Sequence, residues 1–315
     1  MDRPLARARS ASQLLHRRER LRPAALVRRL LAVQAQDGRA AALALRARSE
    51  GLTAAAIEGD EELVVAWLNR GTLHLVHRDD HPWLLALTAP TRFANNRRRL
   101  GQEGVSPQDA DRAVAIVRAA VAEAGPLTRS ELAACMAAQG IRTEGQATPH
   151  LLMLAALHGV AVLGPRRDGR IAFVLAADWL GETPPSALVG RAREQALAEL
   201  ARRYLTAHAP ASDTDLAAWS GLARRDARAG LTAIASELTE LGGGRAELAG
   251  APKAARIEPR LLGPFDPYLL GWKERAHAVP DEHARTVHPG GGVVRAVAAV
   301  DGLAVGTWRD RKSVV

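Results

Sequence analysis

The chain has 315 residues, 47% of them hydrophobic, which supplies enough apolar side chain for packed cores and excludes a disordered polymer. Aromatics make up only 3%, so a surface built from many base-stacking rings is not expected. Lys and Arg total 43 against 34 acidic residues, and the formal charge of +9 favours a polyanionic partner while saying nothing of fold; an Arg and Ala excess is also what a genomic base-composition bias produces.

At about 150 residues per domain the length predicts two or three domains. Cys135 is the only cysteine, so an intramolecular disulfide is impossible and a reducing compartment is expected. No apolar run approaches the length of a membrane span, and the basic N-terminus lacks the apolar core of a secretory signal. These features predict a cytoplasmic protein without a membrane segment.

The first segment, residues 1–104, opens with a short basic helix over Ser12 to Glu19 and a second helix begun by Pro23, with Leu26, Val27, Leu30 and Leu31 on one face. A helix over Thr53 to Glu58 precedes two β-prone runs, Leu63–Leu68 and Thr72–Val76, joined by an Asn69-Arg70-Gly71 turn. Helices followed by a hairpin is the order of a winged helix. One further helical stretch runs from Asp79 to Leu100. Residues 105–184 repeat the plan: a helix from Asp109 to Ala124, a Thr128-x-x-Glu131 capping box opening the next helix, a third over 148–158, and strands Val160–Leu163 and Ile171–Leu175 around an arginine-rich turn. Residues 185–252 hold a long helix to His208, a Ser212-capped helix broken at Gly221, a helix from Arg224 to Leu238 and a weak hairpin. Residues 253–315 are Gly-, Pro- and Val-rich, with strands over Val293–Val300 and Leu303–Trp308 about an Asp301-Gly302 turn. The expected class is α+β: three tandem winged-helix units and a small C-terminal β-rich, barrel-like domain.

Several constellations carry possible chemistry. Gln34-Ala35-Gln36 lies where a helix gives way before Gly38, and extended backbone would put both amides on one side. A pair of amides can hold a water by donating and accepting at once, and neither is a strong base. Surface polar residues at a helix end are the plainer alternative. Arg70, Thr72 and His74 are either an ordinary hairpin turn or a polyanion contact. His74, His77 and His81 beside Asp79 and Asp80 approach metal-ligand spacing, but a continuing strand would point His74 and His77 to opposite faces, so no metal site is expected. Arg97, Arg98 and Arg99, the wing group Arg166, Arg167 and Arg170, and Arg224, Arg225 and Arg228 can neutralise phosphates or simply face solvent. Gly290-Gly291-Gly292 lacks the following helix that a phosphate cradle requires.

Four stretches taken together carry a resemblance: Leu31-Ala32-Val33-Gln34-Ala35-Gln36-Asp37, Trp67-Leu68-Asn69-Arg70-Gly71-Thr72-Leu73-His74, Leu262 to Gly271 (LGPFDPYLLG), and Val287 to Val294 (VHPGGGVV). In that order the chain resembles the AlkZ-like proteins, winged-helix DNA glycosylases that unhook interstrand crosslinks. The resemblance implies Gln34 and Gln36 as the catalytic pair with Asp37 beside them, and its Gln-x-Gln form is that of the branch tied to resistance against alkylating natural products. The DNA contacts expected from charge and turn position are Arg70, Thr72, His74, Arg97, Arg98, Arg99, Arg166, Arg167, Arg170 and Arg295. The implied partner is duplex DNA carrying alkylated or crosslinked purines. No cofactor is expected, and repeats within one chain favour a monomer. Only Lys253, Lys273 and Lys312 could supply a lyase amine and none is near the glutamines in sequence, so a monofunctional glycosylase is expected. The alternative is a non-catalytic winged-helix regulator; a helix over 145–158 that is mostly apolar suits base reading poorly. The chain ends soon after Trp308, where the family continues through further strands, so the resemblance implies an incomplete C-terminal domain.

Overall fold

A computed structural model describes residues 2–16, 19–167, 170–181, 187–253 and 256–309. The chain mixes helices with small antiparallel sheets and divides into two compact units, Met1–Asp60 with Leu197–Val315, and Glu61–Ala196. Among the described residues no helix is long and apolar enough to cross a membrane.

The first unit begins with a helix over Arg3–Ser12, not over Ser12 to Glu19 as the sequence suggested. Pro4 stands in its first turn and Asp2 caps it, accepting from the Leu5 N–H at 3.0 Å, so the start signals lie upstream of the basic run. Arg17 and Arg18 lie outside the described residues. Helices Pro23–Leu30, Gly38–Arg46 and Ala54–Glu58 follow. After residue 197 come Asp213–Ser220, closed by Gly221 at φ 76°, and Arg224–Ala233. The second of these stops short of the expected Leu238, where a strand over Leu238–Leu241 starts its hairpin with Arg245–Leu248. A three-stranded antiparallel sheet, in the order Leu303–Thr307, Val297–Val300, Arg260–Leu262, completes the unit. Its middle strand is shorter than the expected Val293–Val300, because Gly290 to Val293 form a turn.

Two clusters hold this unit together. Tyr204, His208, Trp219, Tyr268, Trp272 and His277 pack ring against ring, with Arg9 over Trp272 at 4.7 Å. Arg48 and Asp266, both fully buried, make a two-bonded ion pair at 3.0 and 2.7 Å, and Arg48 also donates to the Gln13 side chain and the Ala44 carbonyl. Removing one partner of such a pair costs ~3–5 kcal/mol because the other charge stays buried.

In the second unit five strands of one antiparallel sheet run in the order Leu73–His77, Leu63–Trp67, Ala161–Arg167, Arg170–Leu175, Leu127–Thr128. Val65 pairs with Leu163, so the two expected wings share one sheet. The boundary between the compact units therefore runs through the segment read as residues 1–104. Helices Pro90–Gln102, Pro107–Ala124, Arg129–Ala138 and Ala147–Leu157 bury Leu100, Val117, Leu132 and Leu151 against this sheet. The stretch expected as one helix from Asp79 to Leu100 is divided into His81–Thr88 and Pro90–Gln102, since Pro90 has no N–H to continue the first. The Thr128 capping box is formed, with Thr128 N–H donating to Glu131 Oε2 at 2.7 Å.

Candidate active site

The glutamine motif begins with an irregular backbone. The Pro23–Leu30 helix stops at Leu31, which adopts φ 68°, ψ −52°, and the Ala32 N–H donates to the Leu30 carbonyl at 2.9 Å. This is a γ-turn of the rare positive-φ kind, which is strained for a residue with a Cβ. Leu31 is fully buried and packing holds it there. Val33–Gln34 then run extended. Val33 and Ala35 are buried, Gln34 is half-buried and Gln36 is exposed, so burial alternates and both amides fall on the open side. Asp37 ends the segment by capping the Gly38–Arg46 helix: its Oδ1 accepts from the Arg39 N–H at 2.9 Å and the Ala40 N–H at 3.2 Å. Asp37 is thus a helix cap whose carboxylate stays exposed.

A cavity of about 390 Å³ lies beside Asp37 and is also lined by Arg295. Two sequence-predicted site residues thus meet at one opening within the first unit. Pro264 and Phe265 also line it, on a loop that lies close on the Gly38–Arg46 helix. A Cβ on Gly263 would come within 2.9 Å of Leu43 Cβ.

In the second unit the hairpin turn is a short 3-10 segment over Asn69–Gly71 with Arg70 at φ 56° and Gly71 at φ 75°. The positive φ makes the turn need glycine for conformation, whereas a Cβ there would meet only the flexible end of Met153, Cε at 3.0 Å. Thr72 Oγ1 donates to the Asn69 carbonyl at 3.2 Å, and His74 Nδ1 donates to the Thr72 carbonyl at 2.9 Å. His74 is 2% exposed, and burial, reinforced by Arg70, pushes its pKa down to about 3. Burial therefore favours the neutral His74 ring at physiological pH, where it braces the turn. His77 is also buried, with Nδ1 accepting from the Asp79 N–H at 3.2 Å, and burial alone pushes His81 down to about 4. Among the described residues no three His, Cys, Asp or Glu side chains converge as metal ligands.

The arginine groups divide. Arg97 is paired with Asp111 at 2.8 Å, whereas Arg98 and Arg99 are exposed and hydrogen-bonded to Asn95 and Gln102 of their own helix. Arg167 donates to the Pro126 carbonyl at 3.0 Å and faces Glu131 at 3.3 Å, which ties it to the wing's base; Arg170 is exposed. The Arg166 side chain and the wing tip Asp168-Gly169 lie outside the described residues. Arg224 and Arg228 both grip Asp213.

The AlkZ-like DNA glycosylase family matches residues 27–313, which covers the glutamine motif, the hairpin turn and the Gly263–Asp266 loop. The chain belongs to that family. The interstrand DNA cross-link repair glycosylase of Streptomyces sahachiroi is 30% identical over 320 residues, covering 92% of this chain and 83% of that protein. The solved structure of the Streptomyces sahachiroi DNA glycosylase AlkZ superposes with a TM-score of 0.81 at 26% identity, covering 98% of this chain and 88% of that one.

As an AlkZ-like DNA glycosylase the chain is a hydrolase. Sequence reasoning missed Phe265 and Trp308 at the Asp37 cavity. Phe265 stood inside one of the family-like stretches, but its φ of 57° was not legible there, because positive φ is signalled by Gly or Asn and not by Phe.

Proposed function

We propose that this glycosylase hydrolyses the N-glycosidic bond of cationic alkylated purines in duplex DNA, N7-linked interstrand crosslinks included, and leaves an abasic site. An N7-alkylguanine or N3-alkyladenine already carries positive charge, so it departs without a general acid. The protein has to hold the adduct, place a water and stabilise an oxocarbenium-like sugar, and oriented dipoles supply much of that. Gln34 and Gln36 hold the water at C1′. Asp37, fixed by the two N–H groups of the helix it caps, puts negative charge near the developing cation. Neither step calls for a cofactor. A tethered purine cannot be fully extruded, so an open site suits it better than a deep base pocket.

Arg70, Thr72, Arg98, Arg99, Arg170 and Arg295 contact the duplex backbone in this reading, with Arg97, Arg166 and Arg167 contributing to the same basic surfaces. His74 acts through the turn it braces. The same reading groups the chain into winged-helix units at 1–104, 105–184 and 185–252 and a barrel-like region from 253, acting as a monomer in the cytoplasm. The observation that carries it is the extended segment after the Leu31 turn, where buried Val33 and Ala35 alternate with the two open amides. The name of the Streptomyces sahachiroi relative supports the crosslink substrate.

The test is single-turnover base release from a duplex with one N7-methylguanine and from the same duplex with an N7-linked crosslink. Gln34→Ala and Gln36→Ala are each expected to slow release by about 10²–10³, the usual loss for one oriented donor, while duplex affinity stays within a few fold. Normal rates at saturation with weakened binding would reassign the pair to DNA binding.

A further inference from the structure

The cavity beside Asp37 has a composition that the hydrolytic step does not use. Two aromatic side chains line it, Phe265 and Trp308, in a chain that is only 3% aromatic. Tyr204, Trp219, Tyr268 and Trp272 spend their rings on one another in the core. Phe265 and Trp308 are half-buried and face the opening together with Arg39, Arg295 and Arg309, all three exposed.

Phe265 is held there against its own preference. Its φ of 57° lies in the left-handed region, which is strained for a residue with a Cβ. The surroundings over-determine it. Its N–H donates to the Val294 carbonyl at 3.3 Å. Asp266, the next residue, is pinned by Arg48 through two hydrogen bonds and caps the following short helix by accepting from the Tyr268 N–H at 2.9 Å. On the other side, the close packing of Gly263 on Leu43 fixes the loop to the helix that Asp37 starts. Trp308 is equally fixed: its indole N–H donates to the Leu262 carbonyl at 3.0 Å and its own N–H to Ala296 at 3.3 Å. A buried ion pair therefore aims one ring into an opening one residue away from Gln36, and a sheet hydrogen bond sets a second ring in the same wall.

We infer that this cavity is a nucleotide subsite, in which Phe265 and Trp308 receive the base of the nucleotide next to the lesion while Arg39, Arg295 and Arg309 take its phosphates. The inference rests on the proposed DNA substrate and adds where the flanking strand is held. The volume, about 390 Å³, falls in the range of pockets that hold small planar ligands. Three guanidiniums around two rings match a nucleotide, which offers a π-face and anionic oxygens together. An uncharged aromatic arm of an adduct would use the rings but offer no anionic oxygens to the guanidiniums. Stacking reads no sequence, so the subsite grips whichever base lies beside the damage. Phe265 is thus a substrate-positioning residue and takes no part in bond cleavage.

The test uses full-length protein and duplexes carrying one N7-methylguanine, with 2-aminopurine placed in turn at each of the two positions on either side. Wild type is expected to change the fluorescence strongly at one flanking position only. Phe265→Leu keeps bulk but removes the π-face; it is expected to erase that signal and weaken binding about 5- to 150-fold, the equivalent of ~1–3 kcal/mol for one stacked base. Its effect on the single-turnover rate at saturation is expected to be smaller than its effect on affinity. Trp308→Leu is expected to act in the same direction, and a urea midpoint for each variant separates a lost contact from lost folding. Arg295→Gln should flatten the salt dependence of binding by about one phosphate contact. Unchanged fluorescence and affinity in both ring variants would overturn the inference. So would a defect confined to substrates with a bulky aromatic adduct, which would give the cavity to the adduct. The fluorescence measurement needs no turnover, so a wild type that binds but releases no base would fail the proposed reaction and leave the subsite standing.

Discussion

At the scale of the single residue, burial decides chemistry. His74 and His208 are held down to about 3 and His81 to about 4, and His277 is pushed well below the usual imidazole range, in each case chiefly by desolvation. The unfolded chain binds protons at these imidazoles near pH 6.5 and the folded chain does not. Folding stability is therefore fully present above about pH 6.5 and is lost as pH falls toward the folded values. Urea midpoints are expected to stay level down to about pH 7 and then to drop toward pH 5, a window in which most carboxylates remain ionised; a flat profile would contradict the burial of these rings. The glutamine pair was legible only through the family likeness of its stretch, since two amides at a helix end are equally ordinary surface residues. The neutrality of His74 was not legible. Its strand, Leu73–His77, is buried on both faces after its first residue, so the inside–outside alternation that would have flagged His74 is missing.

Elements were legible where local signals govern them. The Thr128 and Ser212 capping boxes start helices, and Gly221 stops one, because cap chemistry acts within a few residues. The Asp301-Gly302 turn formed as read, with φ 52° and 81° at the two positions. What the sequence did not carry is the turn's reach across the unit. Asp301 accepts from Arg7 Nε at 2.9 Å and from the Ile257 N–H at 3.1 Å, and the space beside Gly302 is filled by Ser10, Ala6 and Tyr268. A Cβ on Gly302 would come within 2.7 Å of Ser10 Oγ and 3.1 Å of the Ala6 carbonyl. Gly302→Ala is expected to destabilise the protein by more than about 1 kcal/mol in urea unfolding, since it adds a clash to a positive-φ penalty. Gly51→Ala, with a similar φ of 74° and open space, bears the backbone penalty alone and should cost less.

For the whole molecule, charge is the property that transfers most directly from sequence to behaviour. The excess of nine positive charges predicts duplex binding that weakens by about tenfold between 50 and 200 mM salt for every two phosphates neutralised. Arg98 and Arg99, exposed on one helix end, are expected to account for about two of those contacts, so Arg98→Gln with Arg99→Gln should flatten the plot of log affinity against log salt by about two. An unchanged slope would place the interface elsewhere. Arg97 and Arg167 are committed to Asp111 and Glu131 and are expected to matter less, which composition alone could not distinguish.

The sequence carried the Thr128 and Ser212 caps, the Asp301-Gly302 turn and the mixed helix-and-strand class, because each depends on residues a few positions apart, and its family likeness rests on four such local stretches. Tertiary structure decided the rest. Pairing Val65 with Leu163 drew two hairpins from different segments into one sheet and set the unit boundary at Asp60/Glu61. The Arg48–Asp266 pair, 218 positions apart, fixed the loop that carries Phe265 to the cavity beside Asp37. Burial and charge pairing arise from contacts between distant parts of the chain, and no local pattern encodes which partner a buried arginine or histidine will meet.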